Sequence, residues 1–152
     1  MNKITPIYWQ TTCVLPQKKR GFHLITREIQ ETIHQMPFMQ IGTIHLFLQH
    51  TSASLTISEN ACEEVRVDLE RFFTRLIPED NTLYQHTVEG VDDMPAHIKN
   101  VILGVSLTIP IKDKALLLGE WQGIYLCEHR NKGGQRKIII TATGYHANPI
   151  ET

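Results

Sequence analysis

The chain has 152 residues, 41% of them hydrophobic and 20% charged, with a net charge of -1. That length suits one domain over residues 1–152 with a real core, and the charge leaves no electrostatic case for a nucleic-acid or anionic-membrane partner. Cys13, Cys62 and Cys127 are odd in number, far apart and never in a CxxC pair, which argues against a disulfide framework or a zinc ribbon and suits a reducing cytosol. No apolar run is long enough to span a bilayer, and "MNKITPIYWQTT" lacks the apolar segment of a secretory signal.

"ITPIYWQTTCVL" is rich in β-branched and aromatic residues and reads as a first strand. A basic run, Lys18, Lys19 and Arg20, reads as a solvated turn. Ile25, Ile29, Ile33 and Met36 then fall on one face of a helix that Pro37 and Gly42 stop. "TIHLFLQ" is a strand with Ile44, Leu46 and Leu48 on one face and His45 and Phe47 on the other. A second helix starts near Asn60, capped by that side chain with Glu63 reaching back; its core face is Val65, Leu69, Phe72 and Leu76, and Pro78 ends it. The polar loop from Glu79 to Met94 is long enough to suspect function. A short third helix runs from about Pro95 to Gly104. After it the chain is β-rich, with "VSLTIPI", "ALLLGEW", "GIYLCEH" and "RKIIITATGY". Early helices and later hairpin-linked strands predict an α+β fold with a mainly antiparallel or mixed, β-sandwich-like sheet.

The eight histidines carry the chemical signal. His50 ends an apolar strand and opens a hydroxyl cluster, Thr51, Ser52 and Ser54. His86 lies ahead of the carboxylate pair Asp92 and Asp93, His97 follows in "DDMPAHIK", and His129 closes a strand beside Glu128. Three histidines from different elements suit an open zinc-type site, with carboxylates as ligands or orienting partners. Thr51 and Ser52, with Asn60 and the start of the second helix, form a candidate oxyanion site, which Lys99 and Arg130 would complete. The same serines and threonines also read as the polar face of a half-buried strand. Gln122, between Gly119 and Gly123 in "GEWQGIYL", is positioned to point into a site. His23, His34, His45 and His146 read as structural or surface residues. The lack of a nucleophile elbow argues against a serine-hydrolase role for Ser52 or Ser54.

Three long motifs, "LQHTSASLTISEN", "EGVDDMPAHIKNVILGVSLTIP" and "GEWQGIYLCEHR", closely resemble the YjbQ family, also called UPF0047 or the secondary thiamine-phosphate synthase family, in its bacterial branch. The resemblance covers the chain from about the first strand to Gly144. It implies a homotrimer with sites near subunit boundaries, and a divalent-metal site beside an anion pocket, zinc being the expected ion and magnesium the alternative for a diphosphate substrate. On the family's polar motif positions, His86, His97 and His129 are expected metal ligands. His50, Asp93 and Glu128 are expected catalytic groups, and Thr51, Ser52, Asn60 and Gln122 are expected to bind the phosphorylated small-molecule substrate, with Lys99, a candidate for the oxyanion site and not a family position, beside them. Two positions depart from the family pattern: Cys62 replaces an acidic residue, and Glu120 makes "GEWQ" of the usual "GTWQ".

The implied activity, in a cytoplasmic enzyme, joins a pyrimidine diphosphate to a thiazole phosphate with loss of pyrophosphate, as a side activity. A metal-dependent hydrolase of a phosphorylated metabolite, with Asp93 or Glu128 as base, and a non-catalytic trimeric metabolite or anion binder are the alternatives.

Overall fold

The computed structural model describes residues 3–148. The elements in chain order are β1 (Lys3–Leu15), β2 (Gly21–Leu24), α1 (Thr26–Ile33), β3 (Ile41–Leu48), β4 (Ala53–Glu59), α2 (Glu63–Leu76), α3 (Asp93–Leu103), β5 (Ser106–Lys112), β6 (Ala115–Leu116), β7 (Gln122–Glu128) and β8 (Arg136–Asn148), with a 3-10 turn at Asn81–Leu83. Two antiparallel sheets face each other, one ordered β1-β8-β3-β5-β6 and the other β2-β7-β4. The fold is α+β, as the order of elements implied.

Alternation builds the core. Ile44, Leu46 and Leu48 on β3 and Ile138, Ile140 and Ala142 on β8 turn inward, meeting Leu55 on β4 and Ile124 and Leu126 on β7. Ile25, Ile29, Ile33 and Met36 close this core from one side, so the helical stripe of α1 lies where its spacing put it. Gly42 and Gly144 stand opposite each other across β3 and β8. A Cβ on either would collide with the neighbouring backbone and with Met39 Sδ, so glycine is required there for the strands to approach.

The other face of the smaller sheet carries Phe22, Tyr125 and Cys127, covered by α2 and α3. Here the structure corrects the reading of α2. Leu69 and Phe73 make its contacts, the Phe73 ring stacking on Phe22, while Phe72 and Leu76 remain 59% and 55% exposed. Nor does Asn60 cap it: the Glu59 carboxylate accepts from the Ala61 and Cys62 N–H groups, and Asn60 is spent elsewhere. "ALLLGEW" forms a strand only at Ala115–Leu116, and two strands that the sequence pattern does not announce, β2 after the basic turn and β4 after the hydroxyl corner, flank β7.

One end of the sandwich is closed by a buried ion pair. Glu128, at the end of β7, accepts from Arg136 at the start of β8, Nε to Oε1 at 2.8 Å and Nη2 to Oε2 at 2.6 Å. Arg136 also donates to the backbone oxygen and hydroxyl of Ser52. Both charged groups are buried. Deleting one partner strands the other in a low-dielectric interior, so Glu128→Ala should cost about 3–5 kcal/mol, whereas an apolar pair, Glu128→Leu with Arg136→Met, should recover much of it. Urea unfolding of the two variants beside the wild type measures both values.

Candidate metal centre

The N-terminus of α3 brings the chemistry together. Asp93 and His97 are four residues apart and therefore share one helix face. His86 reaches the same point from the loop that follows the 3-10 turn. His86 Nε2 lies 2.7 Å and His97 Nε2 3.2 Å from the same oxygen, Asp93 Oδ2. One ligand-type atom from each of the three residues falls within 4.8 Å of the others. Asp93 is 1% exposed, whereas the His86 side chain is 49% exposed, so the group is anchored on the protein side and open on the other.

Proton placement makes the group unusual. His97 Nδ1 is 2.7 Å from the Thr51 carbonyl oxygen, which accepts only; that nitrogen therefore carries a proton. In a neutral His97 ring the Nε2 lone pair would then face a carboxylate oxygen. Such a contact is satisfied by an imidazolium or by a cation among the three atoms. Two imidazole nitrogens and one carboxylate oxygen, one ring oriented by a backbone carbonyl, fit a zinc-type divalent ion with open positions. They fit magnesium poorly, since it takes oxygen ligands.

Arg130 holds the carboxylates in place. Its Nη1 donates to Asp93 Oδ1, its Nε to Asp92 Oδ2 at 3.1 Å, and its Nη2 to the Glu89 carbonyl at 2.9 Å. Burial alone would raise the Asp92 pKa, but the Asn131 N–H and the Arg130 guanidinium outweigh it and hold the carboxyl below its ordinary value.

Several expected site residues stand elsewhere. His129 is not a member of the converging group; its Nε2 lies 2.9 Å from Ser54 Oγ in the buried layer under α2 and α3. Glu128 is committed to Arg136 and cannot serve as an exposed base. His50 Nε2 accepts from the Lys137 N–H at 2.8 Å, which makes the ring a cap on the start of β8. Burial first, then the nearby Arg136 charge, lowers its pKa.

The expected anion residues do not form one pocket within the chain. Ser52 is taken by Arg136, whereas the Asn60 amide donates to the Glu120 and Gln122 carbonyls and Gln122 Oε1 accepts from the Gly119 N–H. Since β4 separates Ser52 from Asn60, the two lie roughly 25 Å apart. Lys99 is buried, its Nζ without a hydrogen-bond partner, and desolvation lowers its pKa. Only Thr51 stays beside the histidines, through its carbonyl. Cys62 is exposed just before α2, and Glu120 lies in the Gly119–Gln122 turn. Neither belongs to the centre.

The buried His129 has a consequence for stability. Burial, reinforced by the Lys99 and Arg136 charges, pushes its pKa down to about 3 from an ordinary 6.5. Between those values the unfolded chain binds the proton and the folded chain does not, so stability falls as pH drops through that window. His129→Gln, which keeps a partner for Ser54, should flatten the acid limb of a plot of unfolding free energy against pH between about 6.5 and 4; an unchanged slope would mean the ring contributes nothing there.

Comparisons with known proteins agree with this architecture. The family model described as UPF0047 protein YjbQ-like matches residues 10–145. A relative in Salmonella typhimurium, UPF0047 protein YjbQ, is 52% identical over 138 residues, 91% of this chain and 99% of the relative. A solved member of the yjbq/upf0047 family from Clostridium acetobutylicum is 31% identical and superposes with a TM-score of 0.70, covering 88% of this chain and 97% of that one. A YbjQ-like protein of unknown function from Sulfolobus solfataricus reaches a TM-score of 0.81 at 17% identity over 92% of this chain and 99% of its own, a likeness of fold alone. With its sandwich, its motifs and its length all matched, the chain belongs to the UPF0047 family of YjbQ-like proteins.

Proposed function

We propose that the chain is a divalent-metal-dependent enzyme of phosphorylated small molecules, with His86, Asp93 and His97 as the metal ligands. The observation that carries this reading is the convergence of both histidine Nε2 atoms on Asp93 Oδ2 while His97 Nδ1 is engaged by Thr51. Bound there, a zinc-type ion would supply Lewis-acid charge to a phosphate or diphosphate oxygen. Thr51 fixes the His97 ring, and Arg130 keeps Asp93 aimed. The reaction implied by the family resemblance, condensation of a pyrimidine diphosphate with a thiazole phosphate, needs no general base, because the attacking thiazole nitrogen has no proton to lose. Hydrolysis of a phosphate ester is the second reading, favoured by the half-exposed His86 side of the group, where water has access.

The reading extends to assembly in a cytoplasmic homotrimer. Its support is the apolar surface at Phe72, Leu76, Val101, Ile102 and Trp121, all more than half exposed in the isolated chain. Light scattering coupled to gel filtration should return about three times the 17.5 kDa chain mass; a monomer at micromolar concentration overturns the assembly.

Zinc titration of chelator-stripped protein tests the centre. His86→Ala and His97→Ala should each weaken binding at least a hundredfold and abolish turnover, whereas His129→Gln should leave the zinc affinity within a few-fold of wild type. Chromatographic detection of thiamine phosphate against free phosphate then separates condensation from hydrolysis. Zinc binding that survives both alanine variants would overturn the ligand assignment.

A further inference from the structure

We propose that the cleft between β2 and α2 is a binding site for a small diphosphate-bearing organic molecule, separate from the His86–Asp93–His97 group. This inference does not rest on the reading of that group as a metal centre. The cleft has a volume of about 520 Å³, within the range of small-molecule sites. The basic run Lys18–Arg20 forms one wall and α2 the other, so that Lys18, Arg20, Arg66 and Arg71 face the same space, against two carboxylates, Glu63 and Glu70.

Counting Glu79, which reaches Arg20, the four cations Lys18, Arg20, Arg66 and Arg71 meet three carboxylates, Glu63, Glu70 and Glu79, and one positive charge is left over. Arg20 is already paired, with Glu70 at 3.0 Å and with Glu79. Among the described residues, Lys18, Arg66 and Arg71 make no ion pair, and Glu63 pairs with none of them. Like charges gathered around one concavity repel one another, and an anion of two or more charges relieves that repulsion. Arginine forks match phosphate oxygens, and two of the three unpaired cations are arginines.

The remaining lining selects for more than an inorganic ion. Phe22, Leu24 and Val67 give the cleft an apolar side, and His23 also lines it. A ligand with a phosphorylated end and a flat or apolar body uses both halves. Gly21, between the basic run and the strand, has a φ of +134° with open space where a side chain would stand, leaving its backbone accessible from the cleft.

Isothermal titration of inorganic pyrophosphate into the full chain, with a chelator present, tests the phosphate half. The wild type should bind, with affinity falling as salt is raised. Lys18→Gln and the double variant Arg66→Gln/Arg71→Gln should each weaken binding at least tenfold, while His86→Ala/His97→Ala should match the wild type. Arg71→Gln alone, at an exposed position, is the fallback should the double variant fail to fold. Absence of binding to the wild type, cleft variants that bind as the wild type does, or a loss confined to the histidine variant would each overturn the proposal. Repeating the titration with adenosine diphosphate tests the apolar half: tighter binding than pyrophosphate that is lost in Leu24→Asp supports an organic ligand, and equal affinity overturns that part.

Discussion

The ion pair between Glu128 and Arg136 is the constraint on which the rest of the molecule depends. It joins the last residue of β7 to the first of β8, and so ties the two sheets together at one end. Through Ser52 it also fixes the connection from β3 to β4. One residue before Ser52, the Thr51 carbonyl sets the His97 ring. Two residues after Glu128, Arg130 clamps Asp92 and Asp93. The pair is thus expensive to desolvate, yet it holds both loops that orient the histidine group. Even the turn between β7 and β8 conforms to it, since a side chain at Gly133 would strike both Glu128 and Arg136.

The elements that were legible in the sequence are those with a clear period. Ile25, Ile29 and Ile33 repeat every four residues, and Ile44, Leu46 and Leu48 alternate; both sets are buried where that spacing put them. The α2 face was misplaced because Leu69, Phe72, Phe73 and Leu76 permit two overlapping apolar stripes, and contact with Phe22 decides for Phe73. The four residues of β2 are too few to show a period, and β4 was masked because its serines and threonines serve a hydrophobic sheet from its polar side.

Within the candidate site, Asp93 and His97 were recognisable as an i,i+4 pair once α3 was placed, and His86 by its neighbourhood to the carboxylates. What no linear spacing reveals is which side of β7 a residue faces. Glu128 points into the inter-sheet core and His129 into the layer beneath α2 and α3, so neighbours in sequence enter different environments. Arg136 was overlooked entirely; the only signal was a lone arginine heading a buried apolar strand. Electrostatically, the centre's own groups leave one net negative charge from Asp92, Asp93 and Arg130, which a divalent ion would reverse to positive and so favour an anionic substrate.

The pairing of β1 with β8 has a consequence for how the molecule forms. Thirteen consecutive residues, Lys3–Leu15, take Arg136–Asn148 as partners, and β3 lies on the other side of β8. During synthesis β1 and β3 emerge without the strand that belongs between them, and the 87 residues from position 49 to 135 follow before it begins. Contacts this remote in sequence make for slow folding. Until then both edges of β1, with Ile4 and Tyr8 on its surface, are open to other nascent chains, and Pro6 is the one residue of the strand without a backbone donor.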